Sequence, residues 1–560
     1  MSSNTRGEKT TSRPYRAGDP PEGWGLSGTR RASEETEQVT RAAGTVGFFT
    51  FLSRILGLIR DMVIASLFGS GMVADAFFVA FRIPNLLRRL FAEGSLTIAF
   101  IPVFTDYLNK KGKPEALDLA RVTLTIVSII LVVVSIAGVL LAPWIVRLQA
   151  FGFGPAGAKY ELTVFLTRIT FPYILLISLV AFFMGVLNSL RHFAAPAAAP
   201  IFLNVGIIGG AVLISPHLKE PIVGVAMGVI IGGILQVLLQ VPWVKREGLR
   251  LWPKWNPSHP AVRRIGVLML PAIFGSAVYQ FNQFMGTLLA SFLPEGSISW
   301  LYYADRIVQF PLGIFGIAIS TAALPALSTH AALEDSEEFS QTLCHALRMV
   351  FFITLPSLVG LMVLGEPIVK LIYQRGAFTA HAASMTNRAL FFYAIGLWAF
   401  SGIRVLVSAF YAMQDTKTPV MVAVGALVVN LVLSLCLMGP MKHAGLALAL
   451  SGASGFQFGL LVVLLKKKAP QICLSPVISS VIKSSVASLG MGMFLYWGQA
   501  RWSGAYAGSG LWYLLANVGI MVGIGMALYF ILARIMGCEE LRFLLGMVRP
   551  LKRSGGGQQS

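Results

Sequence analysis

Charge is what this sequence has least of. Only 12% of its 560 residues are Asp, Glu, Lys or Arg, against roughly a quarter in a soluble globular chain, so water is not its main solvent. Catalytic signatures are missing as well. There is no GxxxxGKS/T loop, which excludes ATP hydrolysis by a P-loop mechanism, and no HExxH. No aspartate-rich pair stands ready to hold Mg²⁺ on a pyrophosphate, which weighs against a polyprenyl-phosphate transferase. The seven histidines lack ligand spacing. The four cysteines, Cys344, Cys436, Cys473 and Cys538, are too scattered for a disulfide framework or a CxxC metal site and are expected to be core thiols. Nor does an apolar stretch behind Arg30 and Arg31 make a cleavable signal of the polar first 42 residues.

What is present is apolar. Hydrophobic residues make up 55% of the chain and mean hydropathy is +0.72, in runs long enough to cross about 30 Å of hydrocarbon as helix. Lipid leaves an open chain no other way to satisfy its backbone, so an all-α polytopic membrane protein is expected. The runs predict fourteen spans, near 45–67, 73–105, 119–146, 161–189, 197–214, 222–243, 263–293, 298–328, 343–365, 384–412, 419–438, 444–465, 479–498 and 510–534. The formal charge of +20 could suggest nucleic acid, but Lys and Arg are spread over short loops and tails. With the N-terminus inside, basic residues favour the cytoplasmic loops about twofold, which puts both termini in the cytoplasm. Trp144, Trp243, Trp300, Trp497, Trp502 and Trp512 fall at span ends, where indole rings anchor in the headgroup layer.

A weak internal repeat runs at an offset of about 225 residues, the kind of duplication from which transporters are built. Ala99-Phe100-Ile101-Pro102 falls on Ala322-Ala323-Leu324-Pro325, Arg121 on Arg348, and Pro196 on Pro419. Two six-helix lobes result. The expected organisation is a disordered cytoplasmic tail (1–42), an N-lobe (43–243), a basic linker (244–262), a C-lobe (263–467), two further helices (468–540) and a second tail (541–560). Pro271, Pro311 and Pro356 give the C-lobe kink-capable points.

The first two spans are unusually charged. One carries Arg54, Arg60 and Asp61; the next carries Asp75, Arg82, Arg88, Arg89 and Glu93, four of which share a helical stripe. The eighth span adds Asp305 and Arg306, and the seventh offers Gln280, Asn282 and Gln283. A charge at the bilayer centre costs at least roughly 2.5 to 3.5 kcal/mol, so these arginines are expected to line a hydrated cavity. Arg88 and Arg89, late in their span, are equally suited to snorkel to the headgroups or pair with acids. Arginines outnumber acids here, so the ligand should be anionic, and the guanidinium fork suits phosphate.

The segments Ser53–Asp61, Asp75–Ser95, Tyr302–Ser328 and Phe410–Val420 closely resemble signature stretches of the MurJ (MviN) family of lipid II flippases. The resemblance spans about residues 45–540. It implies the fold of the multidrug/oligosaccharidyl-lipid/polysaccharide exporter superfamily, two six-helix lobes in a V with two C-terminal helices that form a lipid-tail groove. It also implies a transporter, not an enzyme, that carries the undecaprenyl-pyrophosphate-linked peptidoglycan precursor lipid II across the inner membrane by alternating access. The substrate-binding residues would be Arg54, Arg60, Arg82, Arg88, Arg89 and Arg306, with Asp61, Asp75 and Glu93 as acidic partners. No cofactor is implied; coupling to the membrane potential or to a monovalent cation stays open, with Asn282 and Asn430 as weak cation candidates and other cell-wall synthesis proteins as further partners. Gln309 stands where some relatives have an acid. The alternatives are a drug or O-antigen-type exporter of the same superfamily and a membrane-embedded polyprenyl-phosphate enzyme.

Overall fold

The computed structural model describes residues 27–87, 96–502 and 510–548, all of them helix or short connections. In chain order the helices are α1 (Ser27–Phe68), α2 (Met72–Leu87), α3 (Thr97–Lys111), α4 (Lys113–Leu140), α5 (Ala142–Gln149), α6 (Ala158–Thr170), α7 (Tyr173–Ser189), α8 (Ala194–Gly209), α9 (Ile222–Arg246), α10 (Pro260–Ser291), α11 (Ser297–Pro311), α12 (Ile317–Ala332), α13 (Ser336–Tyr373), α14 (Ala380–Ile395), α15 (Leu397–Ala412), α16 (Lys417–Met441), α17 (His443–Lys468), α18 (Ser475–Trp502), α19 (Leu511–Ile535) and α20 (Glu539–Val548). They form about fourteen spans, because α4–α5, α6–α7, α11–α12 and α14–α15 each make one, and α2 and α3, on either side of residues 88–95, which lie outside the described part, are counted as one. Among the described residues nine spans qualify on length and apolarity alone, and the pair α14–α15, bent by 42°, makes a tenth. The other four, α1, α2–α3, α10 and α11–α12, carry the charged and amide residues singled out above. Large apolar side chains stand exposed on the outer helix faces, such as Leu140, Leu213, Met421 and Met493, each at least 70% exposed, as lipid-facing surfaces require.

The element pattern repeats at the offset seen in sequence. The break between α6 and α7 at Phe171-Pro172 corresponds to the break at Gly396 between α14 and α15, and Pro102 of α3 to Pro325 of α12. Arg121 and Arg348 also do equivalent work. Arg121 donates to the carbonyls of Trp252 and Pro253 in the linker, whereas Arg348 pairs with Glu539 and Glu540 of α20; each pins the segment that trails its half.

The first lobe packs α1 through α9, the second α11 through α17, and α18 and α19 lie against α13. Helix α10 touches both, reaching α3 near one end, α5 near the other and α16 between. Within the first lobe, α8 and α9 approach at glycines: a Cβ on Gly206 would stand 2.4 Å from Gly232 Cα, and one on Gly210 2.2 Å from the Gly224 carbonyl. Small-residue packing of this sort replaces the hydrophobic drive that lipid removes, and it braces α8 against α1.

Several expectations change. Residues 27–42, expected in a disordered tail, continue α1, because no Pro or Gly interrupts Thr29–Ala43; residues 1–26 lie outside the described part. The second tail begins as helix α20. Helices α10 and α13 run through Pro271 and Pro356 unbroken, and only Pro311 coincides with a widened π-helical turn, Leu312–Gly316. Cys436 and Cys473 are exposed instead of core thiols. Trp300 is 7% exposed and sits between the lobes instead of in the headgroups.

Candidate functional site

An even number of spans leaves both termini on one face, here the terminal face; the opposite one is the far face. At 1.5 Å per residue, Arg60 lies about 12 Å in from the far end of α1, Arg306 about 14 Å down α11 and Arg82 about 15 Å down α2, near the middle of a 30 Å layer. Arg54 lies about 21 Å in, nearer the terminal face.

At mid-depth the two lobes share one carboxylate. Asp61 on α1 is 2% exposed. Its Oδ1 accepts from Arg60 Nε at 2.9 Å and Nη2 at 2.7 Å and from the Tyr302 hydroxyl of α11 at 3.2 Å. Arg306 Nε, one turn further along α11, lies 3.2 Å from Asp61 Oδ2, and its Nη2 donates to Tyr302 at 2.9 Å. Arg60 Nη1 also donates to Asn204 Oδ1 on α8 at 3.1 Å, and Asn204 in turn donates to the Ser53 carbonyl. Burial at this depth requires such pairing, although Arg306 Nε, at ion-pair distance from Asp61, makes no hydrogen bond among the described residues. Arg54 is exposed and has no ion pair among the described residues. Its guanidinium rests on the π-turn of the other lobe, where a Cβ on Gly313 would stand 2.5 Å from Nη1. Counting the neighbouring Arg82 and Asp305 as well, the four guanidinium charges of Arg54, Arg60, Arg82 and Arg306 against the two carboxylates of Asp61 and Asp305 leave an excess of two positive charges.

Arg82 crosses the interface too, donating from α2 to the Thr287 hydroxyl of α10. Asp75 does not join the arginines. It is 1% exposed and accepts from Lys159 Nζ at 2.8 Å and, across the interface, from the amides of Gly296 and Ser299, both at 2.9 Å, and the Ser299 hydroxyl at 2.6 Å. A carboxylate from one lobe thus caps the N-terminus of α11 in the other, where the helix dipole favours negative charge. The exchange is reciprocal: Glu295, just before α11, accepts from the Met72 amide that opens α2. Trp300 Nε1 donates to Ser70 Oγ at 2.9 Å, Tyr303 to the Gly69 carbonyl, and the Ala377 amide to the Ser66 carbonyl. The far end is closed. Arg88, Arg89 and Glu93 lie outside the described residues.

Sequence spacing placed Asp75 with the arginines because it reads a single helix. Lys159, Ser299, Asn204 and Thr287 were missed for the same reason, since each acts from another element. Tyr302 alone had a signal, standing four residues before Arg306. Gln309 bonds to Asp305 of its own helix.

In the second lobe, α10, α15, α16 and α17 enclose a cavity of about 340 Å³. Asn430 Nδ2 donates to Asn282 Oδ1 there at 2.8 Å, and Asn430 Oδ1 is buried without a partner. Its polar lining, Asn282, Asn430, Ser454, Gln457 and Tyr411, carries no carboxylate. Among the described residues no three His, Cys, Asp or Glu gather as metal ligands.

Residues 64–516 match the family model described as "Lipid II flippase MurJ". A Vibrio cholerae protein described as "Probable lipid II flippase MurJ" is 41% identical over 76% of this chain and 82% of its own. "Lipid II flippase MurJ" of Burkholderia cenocepacia is 40% identical over 76% and 84%. Among solved structures, "Lipid II flippase MurJ, inward closed conformation" superposes with a TM-score of 0.74 at 28% identity, over 89% of this chain and 99% of that one. An inward-facing multidrug MATE-family transporter of the MOP superfamily matches at 0.63 and 13% identity, a likeness of fold alone. With the family model covering most of its length and relatives near 40% identity, the chain belongs to the lipid II flippase MurJ family.

Proposed function

We propose that this protein is a transporter of the inner membrane that flips lipid II from the cytoplasmic to the outer leaflet by alternating access. The observation that carries this is the shared carboxylate: Arg60 from one lobe and Arg306 from the other meet on Asp61, with Arg54 nearer the terminal face against the π-turn of the second lobe and an excess of two positive charges left over. A pyrophosphate diester brings two negative charges, and its oxygens suit guanidinium forks. Both termini are taken as cytoplasmic, on the twofold excess of basic residues in the loops of the terminal face. The closed far end then faces outward, and the substrate enters from the inner leaflet with its polyprenyl chain along α18 and α19. Binding of the anion draws Arg54, Arg60 and Arg306 onto phosphate, which weakens the hold of Arg60 and Arg306 on Asp61 and frees the lobes to part at the far end.

Membrane potential is the proposed energy source: it acts on unmatched charge at about 2.3 kcal/mol per 100 mV, driving the anion outward and the empty cationic site back. A monovalent cation in the α10–α17 cavity would have the unpartnered Asn430 oxygen and neutral hydroxyl and amide oxygens as ligands. Replacing Arg54, Arg60 or Arg306 by Ala in purified protein and measuring lipid II translocation in liposomes tests the proposal. Loss of transport with expression and fold retained is expected; normal transport in all three would refute it. Mass spectrometry of lipid II after incubation separates flipping from covalent change, and competition with other polyprenyl-linked sugars separates it from O-antigen-type export.

A further inference from the structure

The four donors on Asp75 divide between the lobes. Three belong to α11 and its cap, the Gly296 and Ser299 amides and the Ser299 hydroxyl. The fourth, Lys159 Nζ, belongs to α6 in the lobe that also carries Asp75. Parting of the far end therefore strips three donors from the carboxylate and leaves one. Lys159 is the second residue of α6, where the helix dipole disfavours a cation; nothing in α6 itself accounts for a lysine there. Its ammonium is 4.3 Å from the centre of the Phe153 ring and its side chain is 19% exposed, so it is held within its own lobe instead of bridging to the other.

We propose that Lys159 is a positioning residue of the transport cycle, supplying the counter-charge that lets Asp75 leave the N-terminus of α11 when the far end opens. This rests on the alternating-access reading above. Two effects act in the same direction. In the closed state the ammonium competes with the positive end of the α11 dipole for the Asp75 carboxylate, which loosens the cap. In the open state it alone keeps Asp75 from standing as an unpaired charge at the edge of the hydrocarbon. Removing it strengthens closure and penalises opening. The other charged or titratable groups around Asp75 do not replace it: Glu295 has the wrong sign, and Tyr303 is a buried phenol on α11.

Full-length protein in nanodiscs, with its native cysteines changed to serine and spin labels at Lys219→Cys and Ala380→Cys, reports the far-end opening as a distance distribution. Both positions are exposed near the far face, Lys219 in the loop before α9 and Ala380 at the start of α14, one in each lobe. Lys159→Met is expected to lower the ratio of open to closed populations about tenfold, the factor corresponding to ~1.4 kcal/mol. Lys159→Gln should act alike should the methionine variant fold poorly. Lys159→Arg should restore the parent ratio, and in an Asp75→Asn background Lys159→Met should no longer matter. An unchanged or more open distribution in both neutral variants, or an effect that survives Asp75→Asn, would overturn the proposal. The distances are read without substrate, so loss of transport in the arginine variants beside an unmoved distribution in Lys159→Met would sink this inference and leave the function standing.

Discussion

Asp61→Asn isolates the electrostatic centre of the molecule. Asparagine keeps the volume, and its oxygen can still accept one bond, but the charge that holds Arg60 and Arg306 is gone. Removing one partner of a buried ion pair costs about 3 to 5 kcal/mol, because the other charge is left uncompensated. The Arg60 side chain is 8% exposed, whereas that of Arg306 is 36% exposed, so water screens the second pair and the lower end, about 3 kcal/mol, is the better figure. That cost falls in two places. Loss of the Arg60 contact weakens α1 inside its own lobe, while loss of Arg306 and Tyr302 weakens closure between the lobes. Purified Asp61→Asn should therefore melt several degrees below the parent and, by the spin-label pair above, populate the open far end more. A cycle with Arg306→Met checks the cause. Taking away the second uncompensated charge should recover part of the loss, so the double variant should be less destabilised than the sum of the singles by at least ~1 kcal/mol. Melting within about a degree of the parent, an unmoved distance distribution, or additive effects in the cycle would refute the reasoning.

Two further outcomes are expected. Gly313→Ala puts a methyl where the Arg54 guanidinium now rests; the flexible end of that side chain can move aside, so thermal stability should change by less than about 1 kcal/mol while lipid II transport falls, and unimpaired transport would show that the position of Arg54 is unimportant. Asp415, between α15 and α16, accepts from Lys468 Nζ at 2.8 Å and from the Thr418 hydroxyl and amide, contacts that hold its carboxyl well below the usual range, the Lys468 bond foremost. A depressed carboxyl stabilises the fold above its unfolded pKa of about 4 and loses that contribution as pH falls further. Asp415→Ala should cost about 1 kcal/mol at pH 7, with the difference from the parent shrinking below about pH 4 in melts across that range; a constant difference would contradict the assignment.

The repeat and the fourteen spans were legible because lipid imposes its rules along the chain: apolar length for each crossing, basic residues in the loops. The cost of leaving arginines in lipid singled out Arg54, Arg60 and Arg306, and the structure brings all three to the seam between the lobes; that they bind substrate is the proposal made above. Trp300 was misjudged because position at a span end is a local criterion, whereas its partners come from other elements, Ser70 of the other lobe and the His381 and His443 rings of its own.

By itself, then, the sequence determined that this is a helical membrane protein in two related halves with cationic groups inside, since periodicity, hydropathy and insertion cost are properties of a single segment and its solvent. Only the tertiary structure decided how those charges are matched. That Asp61 serves both lobes, that Asp75 turns to Lys159 and the start of α11, and that Gly313 makes room for Arg54 depends on which helices meet and at what depth. Contacts between residues more than 200 positions apart leave no trace in the spacing of either one.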